Sequence, residues 1–388
     1  MTVSSGTETE YGEVAPQVSV DGAIAERDSF LDCAKGIAIT LVVIGHTFQG
    51  LSADFDSLVG FRVIYSFHMP LFSFLAGAAA RFWIERFDYE KGFSHAAKVS
   101  YLRIQRSAIY LLMPFVSWTV IGYFLAHTDE SFGTFMLDVF KHNDRSLWFL
   151  PCIFWCTLYV CLYLAFAAAV RAAAQRTVLE PYLKRLALVP IQMVFIICIW
   201  SQFRRYLPTD YGLNFVNYFH GGLFLFFALG VAGFKSFVQL EAAWIRAIPY
   251  VAFIALVPFW HRTMPHNLVP DAPGFVMIHW VLKNYALIVA ASGTLAVVDM
   301  VRVVTSMNIK SVNAVVTYLG SASLAIYAIH FHMLGRGPII IGPLVLSVAL
   351  YFVLSRIPGV GKVLFGKSQS KGMAYMLTRK NSSVNQTF

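Results

Sequence analysis

The chain has 388 residues, 57% of them hydrophobic and 13% charged, where soluble domains run at roughly 45–50% and about 25%, so water is not its main solvent. A net charge of +9 would suit a nucleic-acid partner, but the basic residues stand in short stretches beside apolar runs, where topology and anionic lipid headgroups account for them, and no nucleic-acid-binding motif interleaves them. A water-solvated globule and a nucleic-acid-binding protein are both excluded, and the recurrence of apolar stretches along almost the whole length predicts one helical membrane domain.

Residues 1–26 are polar, carry Glu8, Glu10, Glu13, Asp21 and Glu26, and lack the basic start and apolar run of a cleaved leader. They are expected to form a disordered cytoplasmic tail. Ten apolar segments follow, at about 30–51, 58–82, 107–127, 147–170, 186–203, 215–234, 248–261, 275–298, 312–333 and 339–355, most of them close to the ~20 residues that span a bilayer. The expected fold is all-α: a polytopic transmembrane bundle of about ten spans over residues 27–356, followed by a basic cytoplasmic tail at 357–388. Most Lys and Arg residues fall on one side of this arrangement, which places both termini in the cytoplasm of a bacterial inner membrane; Arg204 and Arg205 run against the rule.

The five cysteines, Cys33, Cys152, Cys156, Cys161 and Cys198, all sit in apolar segments without clustered Cys or His partners. They are expected to be small buried hydrophobes, so neither a disulfide nor a metal site is predicted.

Ionisable groups inside a span are costly and mark functional candidates, and the first segment has three. In Leu31-Asp-Cys-Ala-Lys-Gly-Ile-Ala-Ile-Thr-Leu-Val-Val-Ile-Gly-His46, the eleven steps from Lys35 to His46 bring the two onto one helical face, roughly 16 Å apart along the axis. Asp32 stands one turn from Lys35 near the same stripe. A cation at the cytoplasmic mouth leading to a deeper imidazole suits a donor with a phosphate-rich head and a reactive far end, such as acyl-CoA. His46 is then a general base for an acceptor hydroxyl, with an interhelical hydrogen bond from a structural histidine as the alternative. The second segment holds Tyr65-Ser-Phe-His-Met-Pro-Leu-Phe-Ser-Phe-Leu-Ala-Gly77, where Pro70 predicts a kink beside His68 and His68 is expected to orient other groups.

The run from Arg27 through His46, followed by Ser66-Phe-His-Met-Pro-Leu-Phe72 and Gly77, by Ser146-Leu-Trp-Phe-Leu150, and by Tyr318-Leu-Gly-Ser-Ala-Ser-Leu-Ala-Ile-Tyr-Ala-Ile-His330, resembles the acyltransferase 3 family from about Arg27 to Arg356. Each fragment alone is weak; four in family order make the match specific. The resemblance implies an integral membrane enzyme that moves an acyl group, often acetyl, from a coenzyme A thioester to a hydroxyl of a carbohydrate or similar acceptor, with acetyl-CoA or another acyl-CoA as a donor substrate rather than a resident cofactor. By the same resemblance His46 is the catalytic residue and Lys35, often Arg in the family, faces acyl-CoA as a point charge without the bidentate fork. His68, Trp148 and His330 are implied as supporting positions. The Lys-Gly variant and the Phe-His-Met-Pro-Leu-Phe run are most similar to the fucose 4-O-acetylase branch, which includes nodulation-factor acetyltransferases.

Other polar positions are weighed from the residues. Asp144 and Arg145, just before Trp148, either cap the fourth segment or hold an acceptor sugar. Tyr327 stands one turn before His330, and Asp32 supports Lys35. Lys283, inside the eighth segment, is expected to face a carbonyl cluster or a hydrated cavity. The expected partners are acyl-CoA, a carbohydrate or glycolipid acceptor and membrane lipids. The rival from another class is a transporter or flippase of lipid-linked sugars, whose proton relays also use buried His and Lys, though no pair of matching interrupted segments is evident. An inactive relative acting as an assembly partner is a third alternative.

Overall fold

The computed structural model describes residues 28–88, 91–126, 129–141, 146–175, 177, 221–262, 276–334 and 341–366. Every regular element among them is helical, since in lipid a backbone must satisfy its own polar groups. In chain order they are α1 (Ser29–Leu51), α2 (Val59–Tyr65), α3 (His68–Ile84), α4 (Gly92–Ser107), α5 (Met113–Ala126), α6 (Phe132–Lys141), α7 (Phe149–Ala174), α8 (Gly221–Val238), α9 (Ala243–Leu256), α10 (Val276–Ser306), α11 (Lys310–Ser321), α12 (Ser323–Met333), α13 (Gly342–Leu354) and α14 (Val360–Phe365).

Among the described residues five helical stretches are long and apolar enough to cross a membrane: Ser29–Leu51, Val59–Ile84, Gly92–Ala126, Phe149–Ala174 and Asn284–Ser306. The pair α11 and α12 makes a sixth if counted as one span, and Leu223–Val238, Ala243–Phe259 and Gly342–Leu354 are shorter apolar helices. The expected span at 186–203, the tail 1–26 and the C-terminal tail past residue 366 lie outside the described residues.

Three expected spans differ in shape from a straight helix. Pro70 has no N–H, so the carbonyl of Ser66 has no partner four residues on. The irregularity expected there falls at Ser66–Phe67, between α2 and α3, within a helical stretch that continues from Val59 to Ile84; it puts Pro70 in the first turn of α3, where a missing donor costs little. The expected span at 312–333 bends by 79° between α11 and α12. At that bend Ser321 Oγ donates to the Tyr318 carbonyl at 2.8 Å and competes with the backbone ladder. The expected span at 107–127 begins fifteen residues too late: helix runs from Gly92, through one π turn at Ala108–Leu112, to Ala126. Its first half is polar enough to escape a hydropathy search.

Lipid tails are as apolar as leucine, so packing rather than hydrophobicity drives helices together here. The α1 helix begins at Asp28, whose carboxylate accepts from the Phe30 and Leu31 amides at 2.9 and 3.2 Å, and it is buried on most of its circumference, the mark of a central helix. It packs most closely on α11, where Gly36 stands against the Val316 carbonyl and Gly320 against the Asp32 carbonyl. A methyl group at either glycine would collide with main chain. The α3–α8 crossing repeats the device, Gly77 against the Phe227 carbonyl and Gly230 against the Phe74 carbonyl. It is fastened by Ser73 donating to the Leu223 carbonyl at 2.5 Å and by Lys235 bound to Glu85 at 2.5 Å.

Candidate active site

The two crossings hold α1, α3 and α12 so that three histidines meet. The His46 ring lies 5.1 Å from that of His330 and 6.3 Å from that of His68. Tyr65, the last residue before the break that Pro70 imposes, completes the group with its ring 5.6 Å from His46, and Phe331 packs at 4.5 Å.

Each imidazole is held by hydrogen bonds at Nδ1. His46 Nδ1 lies 2.7 Å from Gln49 Oε1 and 2.7 Å from the Tyr65 hydroxyl; in the tautomer that donates from Nδ1 to the Gln49 carbonyl, the lone pair stands on Nε2. His68 donates from Nδ1 to the Ile64 carbonyl at 3.2 Å, and His330 from Nδ1 to the Tyr327 carbonyl at 2.7 Å. His330 is 0% exposed, yet its Nε2 has no hydrogen-bond partner. An orphaned acceptor of this kind costs about 1–3 kcal/mol and calls for an explanation. His68 is also buried, whereas His46 keeps part of its surface accessible.

At the other end of α1 a cavity of about 880 Å³ opens between α1, α3, the α4–α5 stretch, α7 and α12, within the ~300–1,000 Å³ of small-molecule sites. Its polar mouth carries Lys35, Arg103 and Arg106, with Lys35 Nζ 4.0 Å from Asp32 Oδ1 and the Arg103 guanidinium 4.7 Å above the Trp83 ring. The π turn continues the lining: Arg103, Ser107 and Tyr110 all face the same space. Most of the remaining lining is apolar or aromatic and includes Met69 and Tyr327. His68 precedes Met69, and the Tyr327 ring is 5.7 Å from that of His330, so the cavity ends against the histidine group.

A family model for an acyltransferase domain matches residues 28–359, which is most of the chain. The chain belongs to the acyltransferase 3 family. Two curated relatives are similar over part of their length: nodulation protein NolL of Mesorhizobium japonicum, 32% identical over 133 residues, covers 32% of this chain and 32% of its own. NolL of Sinorhizobium fredii is 28% identical over 168 residues, 40% of this chain and 42% of its own. The chain thus spans well under half the length of these relatives. No solved structure matches.

In this acyltransferase 3 chain the structure gathers His46, His68 and His330 into one group and puts Asp32, Lys35 and Tyr327 on one cavity. Trp148 stands before the first turn of α7, packed on the core; its neighbour Phe149, 6.1 Å from the Tyr327 ring, lines the cavity. Asp144 and Arg145 lie outside the described residues, as does the side chain of Lys283. Sequence reasoning passed over Gln49, Tyr65, Arg103 and Arg106. Gln49 is one turn past His46, and Arg103 and Arg106 are one turn apart at the head of an apolar run, so their spacing carried a signal that charge counting absorbed. Tyr65 carried none, because the helix break decides where it points. Four cysteines, Cys33, Cys152, Cys156 and Cys161, are free and buried, while Cys198 lies outside the described residues. Among the described residues no group of three His, Cys, Asp or Glu side chains is placed to hold a metal ion.

Proposed function

We propose that this protein transfers an acyl group, most simply acetyl, from acyl-CoA to a hydroxyl of a carbohydrate acceptor such as an exopolysaccharide, lipopolysaccharide or lipo-oligosaccharide, with a fucosyl residue as the acceptor suggested by the fucose 4-O-acetylase-like motifs. The observation that carries the reading is the cavity, with three cations at its mouth and a histidine group behind its floor. Lys35, Arg103 and Arg106 engage the donor's phosphates, the arginines through planar forks and Lys35 as a point charge. The apolar depth takes the pantetheine arm, and the thioester reaches His46 past Met69 and Tyr327, methionine being the more adaptable of the two.

At that point His46 Nε2 removes the acceptor's hydroxyl proton as its Nδ1–H stays on Gln49. The alkoxide attacks the thioester carbonyl, a C–O bond forms, the C–S bond breaks, and the proton on His46 passes to the departing CoA thiolate. His330 Nε2 takes a hydrogen bond from the substrate, which explains its lack of a partner within the protein. His68 and Trp148 support this arrangement through packing.

The test is mass spectrometry of surface and secreted glycans from a deletion strain carrying the wild-type chain or His46→Ala, with both proteins confirmed in the membrane. An acyl mass increment restored by wild type alone is the expected result. Equal restoration by both makes His46 structural, and a change in glycan export without a change in acylation favours the transporter.

A further inference from the structure

At the His46 end of the bundle a second polar group stands apart from the donor cavity and has no part in the mechanism above. A short turn at Phe55–Ser57 joins α1 to α2 and carries Asp56, and Arg262 follows the end of α9. Arg262 Nε lies 3.6 Å from Asp56 Oδ1, an ion pair too long for a hydrogen bond. The side chains are 46% and 39% exposed, and such surface pairs add little to stability. Asp56 Oδ1 is shut off from solvent yet has no hydrogen-bond partner, and the same holds for Arg62 Nε on α2. Arg62 spends its NH1 on the Pro258 carbonyl at 3.2 Å, which ties α2 to the turn that precedes Arg262. Asp56 thus keeps an unused acceptor beside the Arg262 guanidinium, and Arg62 on the adjoining α2 keeps an unused donor.

The group is connected to His46 by aromatic rings. The Arg262 guanidinium is 5.1 Å above the Phe55 ring, Phe55 is 4.9 Å from Phe61, and Phe61 stacks on Tyr65 at 3.9 Å. The Tyr65 hydroxyl is the one 2.7 Å from His46 Nδ1, and it lies within electrostatic range of both Arg262 and Asp56. A hydroxyl is donor and acceptor at once, so two neighbouring hydroxyls match a carboxylate beside a guanidinium, one donating to Asp56 and the other accepting from Arg262, which a lone ion of either sign does not.

We propose that Asp56 and Arg262, backed by Arg62 and Phe55, form the acceptor subsite, gripping adjacent hydroxyls of a carbohydrate while a further hydroxyl of the same sugar faces His46. The assignment rests on the acyl-transfer reading and deepens it: donor and acceptor enter at opposite ends of α1.

The experiment uses the full chain in membrane vesicles, radiolabelled acetyl-CoA, and surface glycans of the deletion strain stripped of esters by mild alkali. For Asp56→Asn and for Arg262→Gln, the acceptor KM should rise about tenfold or more, the loss expected of a charge-assisted hydrogen bond, while the KM for acetyl-CoA stays within twofold of wild type. An acceptor KM within twofold of wild type in both variants overturns the subsite, and so does a rise confined to the acetyl-CoA KM. The exchanged pair Asp56→Arg with Arg262→Asp separates binding from architecture. Recovery of wild-type acceptor KM by the exchange means that the residues merely pair with each other and overturns the proposal; continued loss at wild-type membrane yield supports it. If the wild type itself labels no glycan, the acyl-transfer reading fails and the subsite falls with it, a result distinct from every variant-specific one.

Discussion

The two ends of α1 solve opposite problems with the same helix. Beside Lys35, on the face of α1 turned away from the close α11 crossing, lies a cavity of about 880 Å³ whose lining includes Lys35, Arg103 and Arg106. Around His46 the neighbours close in, with two histidines, a tyrosine and a phenylalanine within 6.3 Å between ring centres. Small residues, Ala76, Ala79 and Ala80 of α3, stand among the aromatic rings that line the cavity, whereas at His46 ring packs directly on ring. An open end lined by cations suits binding, and a closed end of packed rings suits chemistry, since positioning within fractions of an ångström decides rate.

If that division holds, variants at the closed end change turnover and variants at the open end change donor affinity. The largest effect is expected of His46→Ala, which should lower kcat by about 10²–10⁴, the usual worth of a general base, with the KM for acetyl-CoA nearly unchanged; initial rates of CoA release from membrane vesicles measure both. Next comes Arg103→Gln, for which the same assay should show the KM for acetyl-CoA rising about tenfold at near-constant kcat. A fall in kcat alone would erase the distinction between the ends.

Tyr65→Phe sharpens the comparison. It removes the hydroxyl 2.7 Å from His46 Nδ1 but keeps the ring stacked on Phe61, so kcat should fall about tenfold, as when the outer partner of a working histidine is lost, without a change in membrane yield. The smallest effect concerns the outer fastening of α3 on α8. Burial alone would raise the Glu85 carboxyl, but hydrogen bonds from Lys235 and Arg81 and their charges outweigh it and hold the group below its ordinary value. The sign follows: the stabilisation is present above the ordinary glutamate range and is lost as the pH falls through the depressed folded value. Because Glu85 is 39% exposed, Glu85→Gln should cost under about 1 kcal/mol, read as a slightly lower thermal midpoint in detergent at neutral pH and no difference in acid.

Much of this protein was legible in its sequence. Hydropathy required membrane helices, because only helices and closed barrels satisfy a backbone in lipid. The eleven-residue interval from Lys35 to His46 required that both lie on one face of α1, because the period of the helix is fixed by its hydrogen bonds. Pro70 announced an irregularity beside His68, though not that the two-residue interruption at Ser66–Phe67 would leave Tyr65 against His46.

What only the tertiary structure decided depends on residues far apart in the chain. Gly36 and Gly320, or Gly77 and Gly230, read individually as helix weakeners; only as reciprocal contacts do they bring backbones together and thereby set His330 against His46. Arg103 and Arg106 counted as loop charges until the π turn and the α4–α7 packing aimed them into the cavity of Lys35. Local periodicity is written in neighbouring residues, whereas which faces meet is fixed by close packing between segments hundreds of residues apart, and no single segment carries that information.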